Sequence, residues 1–370
     1  MTSAPASGNA QRFVGPDLAR GVMLLLIAMS YAGAYASAGF GVDASSEPAL
    51  DQAASFTSTL FLDNRAFPMF AILFGYGLAW SIARQTARGV EPHQLRRELR
   101  RRALLLLAFG VVHAVLVYTG EILTSYGLAL LATGWLLFRS DRALKVALWI
   151  TGVFYLVAIP LISMVGTSIE RDMTAVAIIP GYATLDDWVG RIISVPYPPL
   201  YMAVAYALLF TVVLGYRAGR ARLFERTDER RPLLLRVAVG GVAISLLGAL
   251  PTALITVGAF QPEPAVQGLL QGLQILTGVA GGAGYAACFA LTADWSARSA
   301  PAVTQAIASV GKRSLTFYIY NSAAVAIILH PDLIGVGTVV GHFGALIVAT
   351  LSWLGRVSFI DHSSTDTVVL

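Results

Sequence analysis

The sequence predicts an all-α, polytopic transmembrane helix bundle of about ten crossings, with its N-terminus in the cytoplasm. Three observations lead there. Hydrophobic residues make up 56% of the chain and charged residues only 13%, whereas a soluble domain carries about 25% charged residues. The apolar residues come in blocks of about 17–25, the length a helix needs to cross a hydrocarbon core of about 30 Å. With the N-terminus inside, 23 of the 26 Lys and Arg fall in cytoplasmic loops, and only Arg65, Arg171 and Arg191 fall outside. That bias is the positive-inside pattern. A miscounted helix would scramble it, so it argues for the number of crossings and the orientation together.

The crossings are read at 21–39, 66–83, 103–119, 121–138, 144–166, 200–216, 235–257, 268–292, 314–330 and 334–354. The first opens after Asp17 and Arg20, which are three apart and share a helix face. Its Ala36-Ser37-Ala38 imitates a secretory cleavage site, but the charge pattern requires a crossing there. The second carries Gly75 and Gly77, small residues of the kind that let helices approach closely in lipid. Between it and the third lies a basic stretch, 84–102, expected as a helix on the anionic cytoplasmic leaflet. The third and fourth are joined by a tight turn at Thr119-Gly120. After the fifth, the outer loop 167–199 contains apolar residues at helical spacing around Trp188 and Ile192, which predicts a short amphipathic helix on the outer interface. Pro196, Pro198 and Pro199 then end it before the sixth crossing. The eighth has a glycine face at Gly278, Gly281, Gly282 and Gly284, suited to helix packing or to a substrate path. The outer loop 40–65 is acidic and ends at Arg65. Residues 16–356 form one bundle domain, flanked by a disordered tail at 1–15 and a polar tail at 357–370.

Several functions are excluded or disfavoured. Cys288 is the one cysteine, so neither a disulfide framework within the chain nor a cysteine-rich metal site can form. The five histidines have no metal-ligand spacing. No phosphate-binding P-loop, dinucleotide fingerprint, zinc-protease motif or nucleophile elbow is present. The net charge of +5 lies in short inner loops, which speaks for anionic lipids as partners and against nucleic acid.

Polar groups at membrane depth are costly and mark candidate sites. His113 lies near the middle of its crossing, where a neutral imidazole could accept a proton or be satisfied structurally. Glu121, just past the turn, could orient His113 or face water. Arg65, at the same end, could pair with Glu121, Asp63 or an anionic substrate, or anchor the interface. Asp17 and Arg20 could be a helix cap with a positive-inside arginine, or a phosphate holder at the cytoplasmic mouth. Tyr318 and Asn321 line the ninth crossing, where Asn321 could glue helices or touch substrate. His330 and His342 read as helix-end residues.

Four stretches together resemble the YeiB-like family of bacterial multi-pass membrane proteins (domain of unknown function 418). They are Asp17-Leu18-Ala19-Arg20-Gly21, residues 65–77 from Arg65 to Gly77, Phe109-Gly110-Val111-Val112-His113-Ala114 with Gly120-Glu121-Ile122-Leu123 and Tyr126, and Gly311-Lys312-Arg313-Ser314-Leu315-Thr316-Phe317-Tyr318. That family is similar to transmembrane acyltransferases such as heparan-glucosaminide acetyltransferase. Those enzymes carry an acyl group from cytoplasmic acyl-CoA to a sugar on the far side, using an Arg at the start of the first crossing and a His or Asn about three turns later. Arg20 matches the Arg, and Tyr31 stands where the His or Asn would be. The catalytic candidates are His113, Glu121 and Tyr31, and the substrate-binding ones Arg20, Asp17, Arg65, Tyr126, Tyr318 and Asn321; of these, the acyltransferase resemblance itself implies Arg20 and the Tyr31 position. It implies acyl-CoA as a donor substrate, with no tightly bound cofactor. An acyltransferase in the cytoplasmic membrane, a transporter of a small molecule or lipid, and a non-catalytic accessory subunit all fit this sequence, and the chain could also form a homo-oligomer.

Overall fold

A computed structural model describes residues 14–36, 44–170, 179–225 and 227–363. Residues 1–13 of the tail expected at 1–15, the Ser37-Ala38 part of the cleavage-like stretch, Arg171 and residues 364–370 of the tail expected at 357–370 lie outside the described residues. The described chain is helical, with no strand among those residues.

Helix α1 (Val14–Ala32) is the buried axis of one half. It packs against α12 (Pro301–Lys312), α13 (Ser314–Leu329) and α14 (His342–Ser363). Its contact with α12 is backbone on backbone: a Cβ added at Gly311 would stand 2.9 Å from the Gly21 nitrogen. A second tight pair joins α3 (Ala66–Ala87) to α9 (Leu208–Arg220), where a Cβ on Gly75 would come 3.1 Å from the Gly215 Cα. Such small-residue contacts replace the hydrophobic drive that lipid does not provide between helices. The glycine face of α11 (Pro264–Ser299) divides its work. Gly282 lies against Pro68 and Met69 of α3, while Gly284 lies against Val242 of α10 (Thr227–Thr256). This face therefore serves packing.

The remaining helices are α2 (Ala49–Phe61), α4 (Pro92–Leu116), α5 (Leu123–Thr133), α6 (Asp141–Glu170), α7 (Leu185–Ser194) and α8 (Tyr197–Ala205). Among the described residues, five stretches are long and apolar enough to cross a membrane: Gly15–Tyr35, Ala49–Ala87, Asp141–Ser168, Thr227–Thr256 and Pro264–Ala293. The run Leu185–Ala205 with Leu208–Arg220 makes a sixth if its 64° bend is one broken span. Leu123–Phe138, Ser314–Leu329 and His342–Gly355 are shorter apolar helices. Large apolar side chains face outward, including Trp149 on α6 (75% exposed) and Leu247 on α10 (71%). So much exposed apolar surface suits lipid, not water. This is a membrane protein.

Four local features differ from the sequence reading. Residues 49–61 of the acidic loop form α2, whose small face (Ala54, Ser55, Ser58, Thr59) is buried. Residues 301–312 of the inner loop form α12. The basic stretch forms no helix of its own and belongs to the ends of α3 and α4, because Pro92 at the first turn starts a helix that nothing interrupts before Leu116. The sixth crossing is broken at Ala207, which has a φ of +51°.

Candidate functional site

The site is built by α1, α4 and α13 and by the turn between α4 and α5. Tyr31 lies in the last turn of α1 and Tyr35 ends the 3-10 turn Gly33–Tyr35 that follows it; both are buried. Tyr118, from the α4–α5 turn, packs its ring 5.4 Å from Tyr31 and 6.0 Å from Tyr35. His113 on α4 is 3% exposed, and its ring lies 5.4 Å from that of Tyr318 on α13. The Tyr318 hydroxyl accepts a hydrogen bond from the Ile122 N–H at 3.2 Å, which ties α13 to the start of α5. One turn beyond Tyr318, the Ser322 hydroxyl stands beside that of Tyr31.

The decisive property of this cluster is unmet hydrogen-bonding capacity. Both ring nitrogens of His113, the hydroxyl of Tyr35 and both amide atoms of Asn321 are buried with no hydrogen-bond partner among the described residues. A buried donor or acceptor left unpaired costs about 1–3 kcal/mol. Native interiors tolerate few such groups, and here several collect at the meeting of three helices. Their chemistry is neutral and aromatic, suited to a polar, uncharged, hydroxyl-bearing group.

The end of the cluster nearest Tyr35 is roofed. Tyr35 lies 5.9 Å from His330, which lies 4.7 Å from Tyr182, ring to ring. The Tyr182 hydroxyl donates to the Val117 carbonyl in a close contact, and its N–H donates to Asp332 at 2.8 Å. Arg191 of α7 fixes this roof. Its guanidinium is fully buried and donates to the carbonyls of Pro180 (2.7 Å), Gly181 (2.8 Å) and Val115 (3.3 Å). It also lies 3.6 Å from the centre of the Tyr182 ring, a cation–π contact. The amphipathic helix read at 185–193 is present, and a capping box between Thr184 and Asp187 starts it. Leu185, Ile192 and Ile193 lie on its exposed side.

The other sequence candidates fall elsewhere. Glu121 is neither water-facing nor bonded to His113. It is 1% exposed, and its carboxylate accepts from the backbone N–H of Leu123 and Thr124 and from the Thr124 hydroxyl. From the residue before the Ile122 N-cap, it therefore caps the first N–H groups of α5, where a negative charge also meets the helix dipole favourably. Arg65 does not reach Glu121. It is fully buried and donates to the carbonyls of Thr59 (2.9 Å), Asp63 and Ser245 (2.8 Å), clamping the α2–α3 turn to α10. Tyr126 donates to the Phe67 carbonyl at 3.2 Å within an aromatic stack with Phe67, Phe70 and Phe74. Asp17 and Arg20 form an ion pair at 3.3 Å, and Arg20 also donates to the Leu73 carbonyl at 3.4 Å. Arg20 lies about 16 Å from Tyr31 along α1, at 1.5 Å per residue. Tyr35, Tyr118, Ser322, Tyr182 and Arg191 escaped the sequence reading as members of the site. The four-residue spacings Tyr31–Tyr35 and Tyr318–Ser322 are signals that could have found two of them.

Comparison with known proteins bears on the family. Residues 218–360 match the family described as "Protein of unknown function (DUF418)". The YeiB-like resemblance is supported. The uncharacterized protein YxaH of Bacillus subtilis (strain 168) is 26% identical over 220 residues, covering 53% of this chain and 53% of that protein. The chain thus spans about half the length of that relative. No solved structure matches the chain. The family stretch includes Tyr318, Asn321, Ser322 and His330 of the site, while Tyr31, His113 and Glu121 lie before it.

Proposed function

We propose that the protein is a multi-pass enzyme of the cytoplasmic membrane, crossing about ten times with its N-terminus inside, which transfers an acyl group from a cytoplasmic donor to a hydroxyl on a cell-envelope acceptor. The observation that carries this reading is His113: a buried imidazole with both nitrogens unengaged among the described residues, in a cluster of neutral hydroxyl and amide groups. A free imidazole nitrogen is what a general base needs. The acceptor hydroxyl would lie between His113 and the Tyr31–Ser322 pair. His113 takes its proton as the oxygen attacks the thioester carbonyl of acyl-CoA. The new ester bond forms, the carbon–sulfur bond breaks, and the thiolate leaves and recovers the proton. Arg20, at the opposite end of α1, suits the donor's phosphates, so the donor's flexible arm must cover the length between them.

Transport is the second reading. The break at Ala207, with its 64° bend, is of the kind that marks binding sites in transporters. The test is reconstitution in liposomes with radiolabelled acetyl-CoA and envelope glycans or lipids, beside folded Arg20→Ala and His113→Ala variants. Label on the acceptor, lost in both variants, supports the enzyme. Absence of label from folded protein, with labelled envelope compounds exchanging across the vesicle, supports transport.

A further inference from the structure

We propose that the groove between α6 and α9 is a binding site for an anionic phospholipid of the cytoplasmic leaflet, with the phosphate between Lys145 and Arg217 and an acyl chain along the groove. The inference is independent of the acyl-transfer reading. The groove has a volume of about 400 Å³ and is lined by Lys145, Trp149, Gly152, Leu156, Phe210 and Arg217, among others.

Two facts place both cations at one end. Arg220, near the end of α9, pairs with Asp141, at the start of α6, at 3.0 Å. The helices therefore run antiparallel, and Lys145, four residues into α6, lies level with Arg217, three residues before Arg220. Both are exposed, and among the described residues neither is paired with a carboxylate. Both belong to the basic set that the charge pattern assigns to the cytoplasm. Below them the lining is apolar. Trp149 and Leu156 are 75% and 65% exposed, so a lipid chain meets them directly.

The length also fits. From Lys145 to Leu156 the helix rises about 16 Å, close to the half-thickness of about 15 Å for a hydrocarbon core of about 30 Å. Gly152 opens the floor: a Cβ there would meet the Phe210 ring at 3.4 Å, ordinary contact. A larger residue would therefore occupy the groove without disturbing the backbone. Basic side chains above an apolar slot between helices, on the cytoplasmic side, are what an acidic headgroup with its chain requires.

The test uses the full chain in detergent, with retention of phosphatidylglycerol and phosphatidylcholine read by native mass spectrometry. The wild type is expected to retain phosphatidylglycerol in preference. Lys145→Gln/Arg217→Gln should bind it about 30-fold more weakly, the combined effect of two basic side chains near an anionic surface. Gly152→Leu, which leaves both charges in place, should also lose it. Equal retention of the two lipids by the wild type, an unchanged double variant, or full retention by Gly152→Leu would each overturn the proposal. Gel filtration verifies that each variant is folded, and Gly152→Leu decides the matter alone if the charge variant does not fold.

Discussion

Replacing Glu121 separates a structural carboxylate from a chemical one. In Glu121→Ala, the N–H groups of Leu123 and Thr124 lose their acceptor at a buried helix start. The Thr124 hydroxyl loses one too, but it can rotate to another. Two orphaned buried N–H groups cost about 2–6 kcal/mol at about 1–3 each. Removing a carboxylate that was itself expensive to bury offsets part of this, which leaves a net loss of about 2–3 kcal/mol. Glu121→Gln keeps one acceptor oxygen and should lose about half as much. The assay is unfolding in detergent followed by circular dichroism, run beside acyl transfer on the same preparations. The expected order of stability is wild type, Gln, Ala, with residual transfer following the folded fraction. An Ala variant as stable as the wild type but without transfer would refute the cap and make Glu121 a partner in the chemistry.

Arg191→Gln should loosen the roof. Three charge-assisted bonds to carbonyls disappear, at a cost of about 2–4 kcal/mol, and proteolysis within residues 179–191 should accelerate while the rest of the bundle stays resistant. Hydrogen bonds from the Thr184 hydroxyl and backbone hold the exposed Asp187 carboxyl below its usual range. Because the folded value is depressed, the contribution of this cap to α7 is complete above the ordinary carboxylate value of about 3.9 and is lost as pH falls through the lower folded value. Trp188 fluorescence on acidification should report that loss, and Asp187→Asn should abolish the titration. Tyr126→Phe, which removes one 3.2 Å bond to the Phe67 carbonyl, should cost about 0.5–1.5 kcal/mol and leave any transfer activity unchanged.

What could be read from the sequence is what local physics decides. The long apolar blocks became helices because length and hydropathy suffice in lipid. Helix α7 was legible because its apolar spacing and the prolines after it are local signals. Helices α2 and α12 were not, because they bury small and polar residues, Ser55, Ser58 and Thr59 in one and Thr304, Ala308 and Gly311 in the other, and hydropathy does not register such faces. The break at Ala207 has neither glycine nor proline at its positive-φ residue. Long-range partners were out of reach as well. Arg65 finds the Ser245 carbonyl 180 positions away, a clamp that no local pattern announces. His113 stood out because an ionisable group at membrane depth is rare, but its companions come from α1 and α13, and only the fold brings them together.

If His113 serves acyl transfer as proposed, the unpaired polar groups around it are retained for an occupant and not for the fold. The unfolding midpoint of His113→Leu in detergent tests it most directly. Leucine removes two buried, unpartnered nitrogens, a relief of about 2–6 kcal/mol at about 1–3 each, and forfeits a ring contact with Tyr318 worth about 0.5–1.5 kcal/mol. The variant should be at least as stable as the wild type. A loss as large as that of Glu121→Ala would contradict it and make His113 a structural residue.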